Sequence, residues 1–227
     1  KLLIFADNRQ DAAFFAPYLE RTYRRILHRA LILRALAADE AGWEGRLRLQ
    51  DLVSRMIAVA DEADLFSVYQ SHDERIRLVS TWLMQELIAL DTRLSLEGMG
   101  EMQFRLVPPS GWRVPPALTA SPWNLDQEET WALLTELIGS LRRQGVVSFP
   151  PNVNAGDKAF EPRNKEMFVQ EIANTAYNAL GWVPKRGNNR RRSYLRRLLM
   201  RRSGLTADEA TQEAERTLTG LWSYLTR

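Results

Sequence analysis

The stretch Leu49-Gln50-Asp51-Leu52-Val53-Ser54-Arg55-Met56-Ile57 places Leu49, Leu52, Val53, Met56 and Ile57 on one face at helical spacing. Ile76, Val79, Leu83, Leu87 and Leu90 repeat the pattern, so the centre of the chain reads as amphipathic, core-facing helices. Upstream, Lys1 to Phe5 reads as a buried strand of five residues, after which Asp7 or Asn8 can cap a helix. That helix runs past Pro17, kinked there, with Phe15, Leu19, Ile26, Ala30 and Leu33 as its apolar stripe, and stops near Gly42. Downstream, the glycines and prolines between Leu94 and Asn124 break any long element and make a connector. Asp126 then caps a helix carrying Trp131, Leu134, Ile138 and Leu141 up to Gly145, and Val146 to Phe149 form a short strand halted by Pro150 and Pro151. Helix, glycine turn and short strand follow the order of a winged helix. Residues 152–165 read as loop, and a helix through Phe168, Ile172, Ala176 and Leu180 closes at Gly181. The last helix opens on a capping box, Thr206 with Glu209, and carries Ala210, Ala214, Leu218, Leu221 and Leu225.

The expected fold is therefore mainly α, in three stretches: a strand and long helix over 1–40, a helical region with its connector over 41–125, and a helical, winged-helix-like, basic region over 126–227. At 227 residues, 45% hydrophobic and 26% charged, the composition is that of a globular protein with a full core. No run approaches the roughly 18 apolar residues of a membrane span, and no signal-peptide pattern opens the chain, so a cytoplasmic protein with no membrane partner is expected. An opening Lys in place of Met suggests a segment of a longer protein. With no Cys and two His, disulfides, Cys nucleophiles, Cys-based zinc sites and multi-His metal centres are excluded.

Between Lys185 and Arg202 there are nine basic residues and no acidic one. Tyr194, Leu195, Leu198 and Leu199 share one helical face there, and Arg190, Arg196, Arg197 and Arg201 spread over the other. Such an arc can track a phosphate backbone, with Trp182 and Tyr194 stacking on bases, or it is an exposed basic face with both aromatics in the core. At the other end of the chain, the N-terminus of the first helix presents free N–H groups that suit a phosphate, with Arg9 adding charge; the plainer reading is a capped helix. His72-Asp73-Glu74 fits a helix cap better than a metal site, and Glu128 and Glu129 fit a helix first turn better than an acid/base pair. Asp61-Glu62-Ala63-Asp64 spells the DEAD box of helicase ATPases. It lacks an upstream phosphate loop of the form G-x-x-x-x-G-K-[ST], and it continues the helical period begun at Leu49, so it reads as a surface helix end.

Lys1-Leu2-Leu3-Ile4-Phe5-Ala6-Asp7-Asn8-Arg9-Gln10-Asp11-Ala12-Ala13 resembles the K-x-L-x-F-[ST]-D-[SN]-R-Q-D-A segment of large superfamily 2 DEAD/DEAH-box helicases of the Mrf-like and DISARM-helicase-like kind. The match covers about the first 20 residues, and Ala6 departs from the usual Ser or Thr. The resemblance implies that the strand belongs to the second RecA-like lobe, that Asn8, Arg9 and Gln10 lie at its nucleic-acid side, and that a helical insertion follows. It also implies that the true ATPase carboxylates lie upstream, so this chain holds no complete site for ATP and Mg²⁺, which belong to the parent protein. The expectation is an accessory helical region of an ATP-dependent helicase or translocase, inactive alone, with DNA or RNA and the remaining lobes as partners. Its candidate nucleic-acid contacts are Asn8, Arg9, Gln10, Lys185, Arg186, Arg190, Arg196, Arg197 and Arg201. The alternative is a noncatalytic helical adaptor whose basic helix docks on an acidic protein.

Overall fold

A computed structural model of the chain describes residues 9–38, 40–88, 94–143, 147–160, 182–183 and 189–225. Those residues are predominantly helical and contain no strand. The helices are α1 (Arg9–Ala37), α2 (Glu40–Trp43), α3 (Leu49–Glu62), α4 (His72–Leu87), α5 (Pro116–Thr119), α6 (Gln127–Arg142), α7 (Arg190–Ser203) and α8 (Ala207–Leu225), with a 3₁₀ turn at Lys158–Phe160. The strand expected at 1–5, its following cap and the helix through Phe168 to Leu180 lie outside the described residues. The chain forms two compact units.

The first unit comprises Lys1–Glu86, Arg93–Met102 and Pro150–Val153. α1 runs through Pro17 and packs on α2 and α3. Its buried residues are Leu31, Ile32 and Ala35, whereas Ile26 of the expected stripe is 60% exposed. α3 buries Leu52, Met56, Ile57 and Ala60, and α4 buries Val79, Leu83 and Met84, as their periodicity requires. Leu49 stays partly exposed at the start of α3. α1 ends at Ala37, earlier than the Gly42 expected. Gly42 lies inside α2 instead, where its backbone presses on the Leu36 carbonyl: a Cβ there would stand 1.8 Å from that oxygen. Between α1 and α4, Arg29 Nε donates to Glu86 Oε2 at 3.0 Å, and the other oxygen of the buried Glu86 accepts from Leu96 N–H at 2.5 Å. His28 stacks on Trp82 with centroids 4.1 Å apart.

The second unit comprises Leu87–Thr92, Gln103–Phe149 and Asn154–Arg227. Leu133, Leu134, Leu137 and Leu141 of α6 pack with Leu195 and Leu199 of α7, Ala210, Ala214, Leu218 and Leu221 of α8, and Trp123 and Trp182. Both of those indoles satisfy their N–H inside the core, Trp123 donating to Thr217 Oγ1 at 2.8 Å and Trp182 to the Leu218 carbonyl at 2.7 Å. Side chains cap the starts of α6, α7 and α8. Asp126 Oδ1 accepts from Glu129 N–H, Asn189 Oδ1 from Arg192 N–H, and Thr206 and Glu209 bond each other's backbone N–H. α7 ends on Gly204 at φ 64°, a left-handed backbone that glycine adopts without strain and that turns the chain into α8. The short strand expected over 146–149 is not formed by its described residues 147–149. Pro150 and Pro151 carry no N–H to extend a ladder, and Phe149 packs edge-on against Phe160 at 5.0 Å.

Candidate nucleic-acid interface

α7 is held in the second unit by its apolar face, with Leu195 and Leu199 fully buried and Tyr194 and Leu198 half-buried. Three of its arginines are engaged by other groups of the unit. Arg191 is 6% exposed, donates from Nε to Ser140 Oγ at 2.6 Å, and lies 5.1 Å from the Trp182 ring centroid. Burial alone brings its guanidinium down to about 10, an unusually low value for arginine. Arg192 Nη1 reaches Glu215 Oε1 on α8 at 2.6 Å, and Arg202 Nη1 reaches Glu129 Oε1 on α6 at 2.7 Å. The Arg202 hydrogen bond, aided by the Asp126 N–H, holds the Glu129 carboxyl below its usual range.

Arg190, Arg196, Arg197 and Arg201 are exposed and have no ion-pair partner among the described residues. At about 100° per residue, Arg190, Arg197 and Arg201 fall within about 40° of one another around the helix axis, and Arg196 stands about 100° to one side of Arg197. The row extends about 16 Å along α7. Guanidinium forks along such a line match phosphate oxygens, which one strand of a duplex offers about every 3.4 Å of axis. The structure therefore brings Arg190, Arg197 and Arg201 onto one open face and sets Arg196 to one side of it. Arg9 and Gln10 lie in the first turn of α1, with side chains outside the description, and Asn8, Lys185 and Arg186 are outside the described residues altogether.

Trp182 is fully buried and bonded to Leu218, so it cannot stack on a base. Tyr194 is placed differently: it borders a cleft of about 510 Å³, together with Trp131, Leu198, Arg105, Glu136 and Arg202. Partial burial, with the Glu136 carboxylate as the smaller cause, raises the Tyr194 phenol above its usual range. Sequence reasoning missed this cleft, because Arg105 comes from an irregular stretch that carries no periodic signal.

The other chemistry-bearing strings have structural roles. Asp61 and Glu62 are the exposed last residues of α3, Asp61 is held by Arg75 Nη1 at 2.5 Å, and Asp64 sits in a left-handed turn at φ 51°. Ser71 N–H donates to Glu74 Oε2 at 2.8 Å and Ser71 Oγ accepts from Glu74 N–H, so His72-Asp73-Glu74 is the first turn of a capped helix. Among the described residues no three metal-ligating side chains converge. No helix among them is long and apolar enough to cross a membrane. No family model, curated protein or solved structure matches the chain.

Proposed function

We propose that the chain is a helical accessory region of an ATP-dependent superfamily 2 helicase or translocase, and that α7 is its grip on the phosphate backbone of DNA or RNA. The observation that carries the reading is the row of exposed arginines on α7, unpaired among the described residues. Four cations left without carboxylates repel one another, and a polyanion relieves that repulsion while releasing its own counterions. The likeness of Lys1 to Ala13 to the second-lobe segment of such helicases supplies the enzyme class, and the N-terminal strand and winged-helix-like part belong to the same proposal. The residues present do not fit a site for ATP and Mg²⁺. Asp61 is engaged by Arg75 at an exposed helix end, and no phosphate loop or Q-x-x-G-R-x-G-R motif occurs, so no step of ATP hydrolysis is assigned to this chain.

Replacing Arg190, Arg196 and Arg197 together with Gln tests the grip. These side chains are exposed, so folding should survive. Affinity for duplexes of unrelated sequence should fall by a similar factor for each, because phosphate contacts carry no base information. Unchanged affinity in a folded variant would favour the adaptor reading, in which the same face docks on an acidic protein.

A further inference from the structure

Resting on that reading and deepening it, we infer that the cleft beside Tyr194 receives an unpaired, amino-bearing base of a nucleic-acid strand whose phosphates run along α7. The substrate class of the face would then be single-stranded nucleic acid. Around the helix axis Tyr194 lies within about 60° of Arg190, Arg197 and Arg201, so a strand that follows the arginine row passes the mouth of the cleft. The walls are the aromatic rings of Trp131 and Tyr194 and the apolar Leu198, the kind of surface on which any base can stack. Its volume of about 510 Å³ leaves room for a planar ring system. Arg202 and Glu129 line the cleft and pair with each other, which leaves Arg105 and Glu136 as the charged groups outside that pair.

Glu136 is the second carboxylate of the cleft, after the Glu129 that pairs with Arg202. It is exposed in the cleft, faces Tyr194 and has no cationic partner among the described residues. A carboxylate there repels a phosphate and accepts a hydrogen bond from an exocyclic amine, as carboxylates do from cytosine N4. Thymine offers no such amine. Base-paired nucleotides cannot use the cleft, because a stacked and paired base has neither its face nor its pairing edge free.

The test is binding of the whole chain, at neutral pH and one salt concentration, to an oligo-dC strand, an oligo-dT strand of equal length, an abasic strand that keeps sugar and phosphate, and a duplex. Oligo-dC should bind more tightly than oligo-dT, and oligo-dT more tightly than the abasic strand. Tyr194→Leu keeps an apolar side chain in place and should lower oligo-dC affinity about fivefold to a hundredfold, leaving the abasic strand and the duplex unchanged. Glu136→Ala should remove the preference for oligo-dC over oligo-dT. Equal binding of oligo-dC, oligo-dT and abasic strands, a comparison that needs no variant, overturns the base pocket and leaves the phosphate grip standing. The same holds for a folded Tyr194→Leu variant that binds oligo-dC like the parent. Absence of binding to all four probes overturns the grip as well.

Discussion

Arg190 and Arg191 are neighbours in sequence, yet one guanidinium faces solvent and the other is buried against Trp182 and Ser140. The difference lies in helix phase: Arg191 precedes Leu195 by one turn on the packed side of α7, and the long side chain lets a charge follow its stem inward. The buried polar groups make the most specific stability predictions. Trp123 N–H has its acceptor in Thr217 Oγ1, and both residues are buried. Thr217→Val keeps the shape and strands the indole N–H, so chemical denaturation should show a loss of about 1–3 kcal/mol. At His28, burial first and the Arg24 charge second bring the ring from 6.5 to about 4. Between those values the unfolded chain holds more protons than the folded one, so stability rises with pH there. The contribution of the neutral ring is whole above about pH 6.5, falls as pH drops through that value, and is lost progressively down to about 4. After allowance for the ring's partial exposure, the parent should lose about 2 kcal/mol more than a His28→Phe variant over that window, read from denaturation midpoints. Equal losses in the two proteins would contradict the shift.

At the scale of elements, α3, α4, α6 and α8 were legible because each has one apolar face, and α4, α6 and α8 have a recognisable start as well. α1 was legible as a helix but not in its phase. It has two apolar stripes, and periodicity alone picks the one with Ile26 and Ala30, which are exposed, over Leu31, Ile32 and Ala35, which are buried. Arginines at 24, 25, 29 and 34 surround both stripes and do not distinguish them. α1 ends at Ala37, so Gly42 is not its stop signal. Its role is close approach, with backbone pressed on the Leu36 carbonyl. The oxygen it would meet belongs to the backbone and cannot turn aside. Gly42→Ala should therefore destabilise the protein by about 1–3 kcal/mol despite the better helix propensity of Ala, measured as a fall in thermal midpoint. The strand expected before Pro150 is not seen in its described residues 147–149, and β propensity in Val146 to Phe149 says nothing about a pairing partner.

For the whole molecule, the net charge of +3 conceals a division. Of the 31 basic residues nine fall between Lys185 and Arg202, leaving 22 against 28 acidic residues elsewhere. Composition registered a mildly basic chain, the run of basic residues located the charge, and the structure separated the tethered Arg191, Arg192 and Arg202 from the open Arg190, Arg196, Arg197 and Arg201. The cleft beside them was not legible, because its walls come from α6, α7 and the connector and no local pattern joins them. The claim that unites these observations is that the open arginines neutralise phosphates, and counterion release makes that a countable quantity. The direct measurement is the slope of log affinity against log salt for duplex binding, compared between the parent chain and the Arg190→Gln, Arg196→Gln, Arg197→Gln variant. The slope should flatten by about one unit for each contact removed, about three units in all, with both proteins equally helical. A parent slope near zero, or equal slopes in the two proteins, would contradict the account.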